Sequence, residues 1–393
     1  MSEQPFATRM QGATSNVIRE ILKVTQRPEI ISFAGGMPDP GSFPLEFIRE
    51  ACGELLTRRG EEILQYGTSE GYLPLREGIV DFVAQKGIAA QVEDVLILSG
   101  SQQGIDLTAK ALLDPGDGVI VEEPTYLAAL SIFRSYEAQI IPVAGDEEGM
   151  DPAALEEALR DNKIKLIYLV PTFQNPTGLT YGEARRRRIG ELAAKYGVYV
   201  IEDDPYGDLR YSGEALSALK AYDQEDKIVY LGTFSKIISP GLRVGFCVIT
   251  DPQLRQKVLI GKQGTDVHTS NLSQQIVWKF LADGHLPRHI EQICDRYRQK
   301  RDLMLQCLAE EFPSTAKWRQ PHGGLFLWVE LEEGISTAEL LPRAVEEKVA
   351  YVPGAPFYPS GGGENTLRLN FSNATEEKIS LGCQRLGRVF KTL

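Results

Sequence analysis

The sequence has little excess basic charge, few histidines and no long apolar run, and each shortage removes a class of function. Lys and Arg number 42 against 54 Asp and Glu, a formal net charge of −12, and no basic cluster stands near either terminus. Such a chain is a poor partner for nucleic acid or an anionic membrane surface, so neither partner is expected. The one basic run, Arg185–Arg188, lies in a helix-like stretch between polar residues and reads as a solvated helix face. No apolar run approaches the roughly 18 residues of a membrane span. Met1–Arg9 lacks the apolar core of a secretory signal, so none is expected. The five cysteines (Cys52, Cys247, Cys294, Cys307, Cys383) form no CxxC pair, and none stands near a histidine at metal-ligand spacing. They read as reduced, mostly buried thiols of a cytoplasmic protein without a metal site. His268, His285, His289 and His322 form no cluster and receive no catalytic role; the Gln263–Ser270 loop around His268 is a candidate interface segment.

What is present is a rhythm. A chain of 393 residues exceeds one small core and predicts a large domain plus a smaller one. From about residue 95, short apolar, β-branched runs alternate with helix-length amphipathic stretches. The runs are Val95–Leu98, Val119–Val121, Leu166–Val170, Val198–Ile201, Ile228–Leu231 and Val244–Ile249; Asp151–Asp161 and Gly182–Tyr196 are among the helical stretches. Continuous apolar strands alternating with helices imply βαβ crossovers, an α/β class and a mainly parallel sheet. Earlier, Ser15–Thr25 and Pro44–Arg59 read as helices around a Gly/Pro-rich loop. After about Pro287, Phe326–Leu331 and Thr366–Phe371 alternate apolar and polar residues, as an antiparallel sheet with one wet face does. The expected division is an N-terminal segment (1–44) joining a small domain (287–393), with a large domain (45–286) between them.

In an open parallel sheet, ligands bind beyond the carboxyl ends of the strands. After Val95–Leu98 comes Ser99-Gly100-Ser101-Gln102-Gln103-Gly104, either a plain tight turn or a phosphate cradle at a helix N-terminus. After Leu166–Val170 comes Pro171-Thr172-Phe173-Gln174-Asn175-Pro176-Thr177-Gly178, a connecting loop that also offers an amide. After Val198–Ile201 come Glu202, Asp203 and Asp204, then Pro205 and Tyr206; Asp204 could cap a helix, and three adjacent acids require at least one cationic partner. After Ile228–Leu231 comes Gly232-Thr233-Phe234-Ser235-Lys236, followed at a short distance by Arg243. A lysine between apolar residues at a strand end is unusual, and desolvation makes its amine a nucleophile. Thr233, Ser235 and Arg243 suit an anion beside it. A phosphate cradle, an amide, a carboxylate and an amine together fit pyridoxal 5′-phosphate (PLP) better than any other cofactor.

These residues resemble the fold-type-I PLP-dependent aminotransferases of classes I and II. The motifs that carry the resemblance are Ala34-Gly35-Gly36 with Pro38, Gln65-Tyr66-Gly67, Gly100–Gly104, Asn175-Pro176-Thr177-Gly178, Asp203-Asp204-Pro205-Tyr206, Ser235-Lys236 with Arg243, and Leu367-Arg368-Leu369. Ile18-Arg19-Glu20, Thr25–Pro28, Ser32–Gly36 and Gly363–Leu369 make it most similar to the 2-aminoadipate and kynurenine/aminoadipate enzymes. The resemblance implies the PLP-dependent transferase fold, with a mainly parallel seven-stranded sheet in the large domain and a smaller α+β domain. It implies Lys236 as Schiff-base lysine and proton shuttle, Asp203 on the pyridine nitrogen, and Tyr206 and Asn175 on the ring's phenolic oxygen. Tyr126 would stack on the ring, and Ser101, Gln102, Thr233, Ser235 and Arg243 would hold the phosphate. Tyr66 would reach the phosphate from the neighbouring subunit of a homodimer. Arg368 would clamp the substrate α-carboxylate near Gly36.

The substrates so implied are an L-amino acid (2-aminoadipate, branched-chain or aromatic) and 2-oxoglutarate, taken in turn by a ping-pong cycle. Arg19 is the candidate for the side-chain carboxylate; its alternative is a surface ion pair. Other readings are a β-lyase on the same fold, or an aminotransferase-like sensor of a transcription regulator. The acidic chain and the early Ala34-Gly35-Gly36 motif tell against the sensor. A nicotinamide-dependent Rossmann enzyme would need a G-x-G-x-x-G after its first strand, which is missing.

Overall fold

The computed structural model describes residues 7–11 and 27–391; the expected helix Ser15–Thr25, with Arg19, lies outside the described residues. After the short β1 (Ile31–Ser32), the central sheet collects β2 (Val95–Leu98), β3 (Gly118–Glu123), β4 (Gln139–Asp146), β5 (Gly149–Met150), β6 (Ile164–Leu169), β7 (Tyr199–Asp204), β8 (Ile228–Thr233) and β9 (Gly245–Val248). Their spatial order is β2-β9-β8-β7-β6-β3-β4-β5. Strands β8, β7, β6, β3 and β4 pair in parallel, and β9 runs against both of its neighbours. The sheet is the mainly parallel one expected, with a two-residue eighth strand, β5, folding back on the end of β4.

Burial explains the run pattern. Strands β2, β8 and β9 are buried at every position, because helices cover both faces. β4 escaped the reading of the sequence because it is largely exposed and contains Pro142, features of a strand near a sheet edge.

The basic run is not uniformly solvated. Within the helix Glu183–Tyr196, Arg187 and Arg188 do face solvent, pairing with Glu183, Glu191 and Glu156. Arg186 is only 1% exposed. Its guanidinium donates to the carbonyls of Tyr181 (2.9 Å) and Pro171 (2.8 Å) and to Thr172 Oγ1 (2.8 Å). It also lies 3.7 Å from Glu202. The helical period turns one residue of any four-residue run toward the sheet.

A second sheet takes β10 (Lys317–Trp318), β11 (Phe326–Glu330), β13 (Val352–Pro353) and β14 (Thr366–Asn370), in the antiparallel order β10-β11-β14-β13. β12 (Val349–Ala350) instead pairs in parallel with β1, and Asn370 N–H donates to Phe33 O at 2.8 Å. The segment from Ile31 to Phe33 is thereby stitched to the later chain. The expected wet face is absent from β14, which is buried at all five positions. Its polar members point at partners: Asn370 donates to Leu325 O and Ser372 Oγ, and Arg368 to Asn175 and Ala34. Alternation of polar and apolar residues here records two packed faces, one of them polar.

Candidate active site

The carboxyl ends of β2, β6, β7 and β8 surround a cavity of about 200 Å³ lined by Gly100, Ser101, Gln102, Tyr126, Asn175, Asp203, Tyr206, Thr233, Ser235, Lys236 and Arg243, among others. Ten of the sequence-predicted residues therefore share one pocket.

Lys236 follows β8. Its Nζ donates to Gly36 O at 2.8 Å, so Gly36 borders the same site. The side chain keeps some surface open to the pocket while protein encloses the amine. Burial, reinforced by the charges of Arg243 and Arg368, lowers its pKa to about 8 from 10.5. Asp203, near the end of β7, is 3% exposed. Tyr168 from β6 donates its hydroxyl to Oδ2 at 2.9 Å, while Oδ1 is buried without a partner. Burial, aided by the Asp204 charge and opposed by the Tyr168 hydrogen bond, raises Asp203 to about 7.

The flanking acids have different employment. Asp204 caps no helix. It accepts from Gly207 N–H and Tyr230 OH and pairs with Lys86 at 3.3 Å. Burial works to raise its pKa, but Lys86, Tyr230 and Arg186 outweigh that and hold its carboxyl below the ordinary range. Glu202 accepts from Leu219 and Lys220 N–H at 2.7 and 2.8 Å, and burial raises it to about 7. The expected cationic partner is thus Lys86 for Asp204, with Arg186 near Glu202. Alternation along β7 presents only the middle acid, Asp203, to the pocket.

Arg368, from β14, is 2% exposed and does not line the cavity itself but reaches it through Asn175. It donates to Asn175 Oδ1 (2.6 Å) and Ala34 O (2.7 Å), and its Nε lacks a partner. Its guanidinium sits 4.2 Å from the Phe326 ring centroid and 5.3 Å from that of Phe357. Burial lowers its pKa to about 10. Asn175 Nδ2 donates to Tyr206 OH at 3.4 Å.

The same cavity holds a candidate anion cradle. Gly100 has φ +92° and precedes the helix Ser101–Leu112, whose N-terminus faces the cavity. A Cβ at Gly100 would run into the Arg243 guanidinium, which donates to Ser99 O at 2.9 Å. Thr233 and Ser235 join at 2.9 Å beside it. Tyr126, half-buried in the wall, is raised to about 12 by burial. Tyr66 stands elsewhere. It is 81% exposed, packs edge-on against His268 at 5.8 Å, and lines a separate groove.

Reading the sequence missed Tyr168, Lys86 and Arg186, which hold or neutralise the acids of β7. Two adjacent acids beside Asp203 signalled the need for cations but not which ones. The donor set fits PLP: an amine, an orphaned carboxylate oxygen, and a glycine-containing helix N-terminus with two hydroxyls and an arginine.

Comparison with known proteins agrees. The family model described as aminotransferase class I and II matches residues 28–386. The aromatic-amino-acid aminotransferase 1 of Thermococcus litoralis is 43% identical over 395 residues, covering 99% of this chain and 94% of that protein. The 2-aminoadipate transaminase of Thermus thermophilus is 43% identical over 390 residues, covering 98% and 96%. A solved structure of Pyrococcus horikoshii kynurenine aminotransferase, in complex with PMP and KYN as substrates and KYA as products, superimposes with a TM-score of 0.94. It shares 44% identity, covering 98% of this chain and 97% of that one.

Proposed function

The chain belongs to the aminotransferase class I and II family, a PLP-dependent aminotransferase, and from that premise we propose that it moves the amino group of an L-amino acid to 2-oxoglutarate by a ping-pong cycle. The donors proposed are 2-aminoadipate, aromatic and branched-chain amino acids; the names of its relatives support the first two. The observation that carries the reading is the pairing in one pocket of a lysine lowered to about 8 with the orphaned Oδ1 of Asp203.

When bound, PLP supplies an electron-withdrawing ring that stabilises negative charge at the substrate Cα. Asp203 Oδ1 accepts a hydrogen bond from the ring nitrogen and keeps it protonated, with Tyr168 fixing the carboxylate. Lys236 Nζ would take the proton from the substrate Cα and hand it on across the nitrogen, acting as a base whose pKa is lowered to about 8. Arg368 binds the α-carboxylate through its fork and so orients the Cα–H bond. Tyr206 and Asn175 would hold the ring's phenolic oxygen, and Tyr126 would lie against the ring. Ser101, Gln102, Thr233, Ser235 and Arg243 bind the phosphate.

The same reading divides the chain into an N-terminal segment (1–44), a large domain (45–286) and a small one (287–393). It places two copies together, with the exposed Tyr66 completing the partner's phosphate site, and Arg19 on the side-chain carboxylate of glutamate or aminoadipate. A cytoplasmic location accords with the reading, and no helix among the described residues is long and apolar enough to cross a membrane.

Glutamate alone, added to the PLP-loaded protein, tests the reaction class. Release of 2-oxoglutarate in an amount equal to the sites, without free ammonia, is expected. No 2-oxoglutarate from glutamate, with pyruvate, ammonia and the departing group formed catalytically from a β-substituted alanine, would instead indicate a lyase.

A further inference from the structure

Beside the Ser99–Gln103 turn lies an ion pair, its lysine buried and its aspartate partly exposed, that the catalytic residues do not use. Lys262, near the end of the helix Pro252–Gln263, is 0% exposed. Its ammonium donates to Asp266 Oδ1 and Oδ2 (2.9 and 3.1 Å), Gln103 Oε1 (3.2 Å) and Thr269 Oγ1 (3.2 Å). Asp266 Oδ2 also accepts from Ser99 Oγ (2.7 Å) and Gln103 Nε2 (2.8 Å), and Gln103 Oε1 accepts from Ser99 N–H (2.8 Å). Ser99 Oγ additionally meets Thr269 Oγ1 at 3.1 Å.

Every branch of this lattice ends on Ser99 or Gln103, the two residues that bracket Gly100-Ser101-Gln102. From the opposite side, Arg243 donates to Ser99 O, so the turn is gripped between Arg243 and the ion pair. The backbone N–H groups of such a turn bind an anion well only if they are already aimed when it arrives, because reorienting them consumes binding free energy. An ammonium withdrawn wholly from water onto a carboxylate that stays a quarter exposed is a weak device for stability alone, since apolar residues commonly serve as well at such a position. Its four branches to one turn make sense as a device for geometry.

We infer that Lys262 and Asp266 are positioning residues for the cofactor's phosphate: their ion pair holds the Ser99–Gln103 turn in its anion-binding conformation. The inference rests on Ser101, Gln102, Thr233, Ser235 and Arg243 forming the phosphate cup. Because the pair acts only through the turn, it should affect PLP and leave pyridoxal, which lacks the phosphate, untouched.

The test is equilibrium titration of the cofactor-free protein with PLP and, separately, with pyridoxal, followed by absorbance. Removing the Asp266 charge alone strands the fully buried Lys262 ammonium and threatens folding. The variants are therefore Ser99→Ala, which cuts the hydroxyl links to Asp266 and Thr269, and the double change Lys262→Met with Asp266→Leu. For each we expect the Kd for PLP to rise roughly 10- to 100-fold, as loss of hydrogen bonds to charged groups gives, with the Kd for pyridoxal unchanged. An unchanged Kd for PLP, or equal losses for both ligands, would overturn the inference. A wild-type protein that binds both ligands equally would instead remove the phosphate cup on which the inference stands.

Discussion

Arg368 donates a 2.6 Å hydrogen bond to Asn175 Oδ1, joining the buried centre of β14 in the second sheet to the loop beyond β6 in the first. Asn175 passes the contact on to Tyr206 through its other amide atom. The residue proposed as substrate clamp and those proposed for the ring oxygen are therefore one hydrogen-bonded unit, assembled from distant parts of the chain.

Arg368→Lys keeps the charge but loses the planar fork and the bond to Asn175. We expect kcat/KM to fall on the order of 100-fold, as loss of a buried, charge-assisted pair does. The fall should be equal for leucine, phenylalanine and 2-aminoadipate, because all share the α-carboxylate. Steady-state kinetics with the three donors would expose a side-chain role if one of them lost far more than the others.

Asp203→Asn removes the charge and keeps the shape. Retained PLP binding with kcat reduced roughly 100- to 1000-fold is expected, the scale for loss of one preorganised electrostatic partner. Spectroscopic titration of the cofactor alongside turnover separates the two effects. Turnover close to wild type would clear Asp203 of its assigned part.

How much of this was legible in the sequence depends on burial. The six apolar runs of the central sheet became strands because strands covered on both faces need apolar side chains throughout, whereas the half-exposed β4 carried no such signature. Lys236 stood out for a related reason, being charged where its neighbours are apolar. Arg186 did not, because charged residues flank it and only the turn of the helix makes it different. The acids of β7 were visible as a problem in electrostatics, but their solution came from Lys86 and Arg186, more than 100 residues and about 16 residues away in sequence respectively. Separation along the chain hides such pairs. Tyr168 was read only as part of an apolar strand, and its hydroxyl on Asp203 appears only when β6 and β7 lie side by side.

The amine of Lys236 must be unprotonated to attack an aldehyde. Its pKa is depressed to about 8, so the neutral form grows as pH rises toward that value and dominates above it. The rate of PLP addition to the cofactor-free protein should climb with pH and level off above about 8. Stopped-flow absorbance across the range checks this; a rate still climbing steeply near pH 10 would return the lysine to its ordinary state.

Tyr66 lines no part of the pocket in its own chain. Mixing inactive Tyr66→Phe and Lys236→Ala proteins, after unfolding and refolding together, should produce hybrid dimers with one intact site and recover activity. No recovery in hybrids of verified composition would confine each site to a single subunit.

The central claim is that Lys236, alone among the lysines, bonds covalently to the cofactor, and borohydride tests it most directly. Reduction of the PLP-loaded protein fixes the linkage, and peptide mass mapping then finds its place. The account predicts the pyridoxyl mass on the peptide carrying Lys236 and on no other. The same mass on Lys86, Lys262 or another lysine, or its absence, would contradict it.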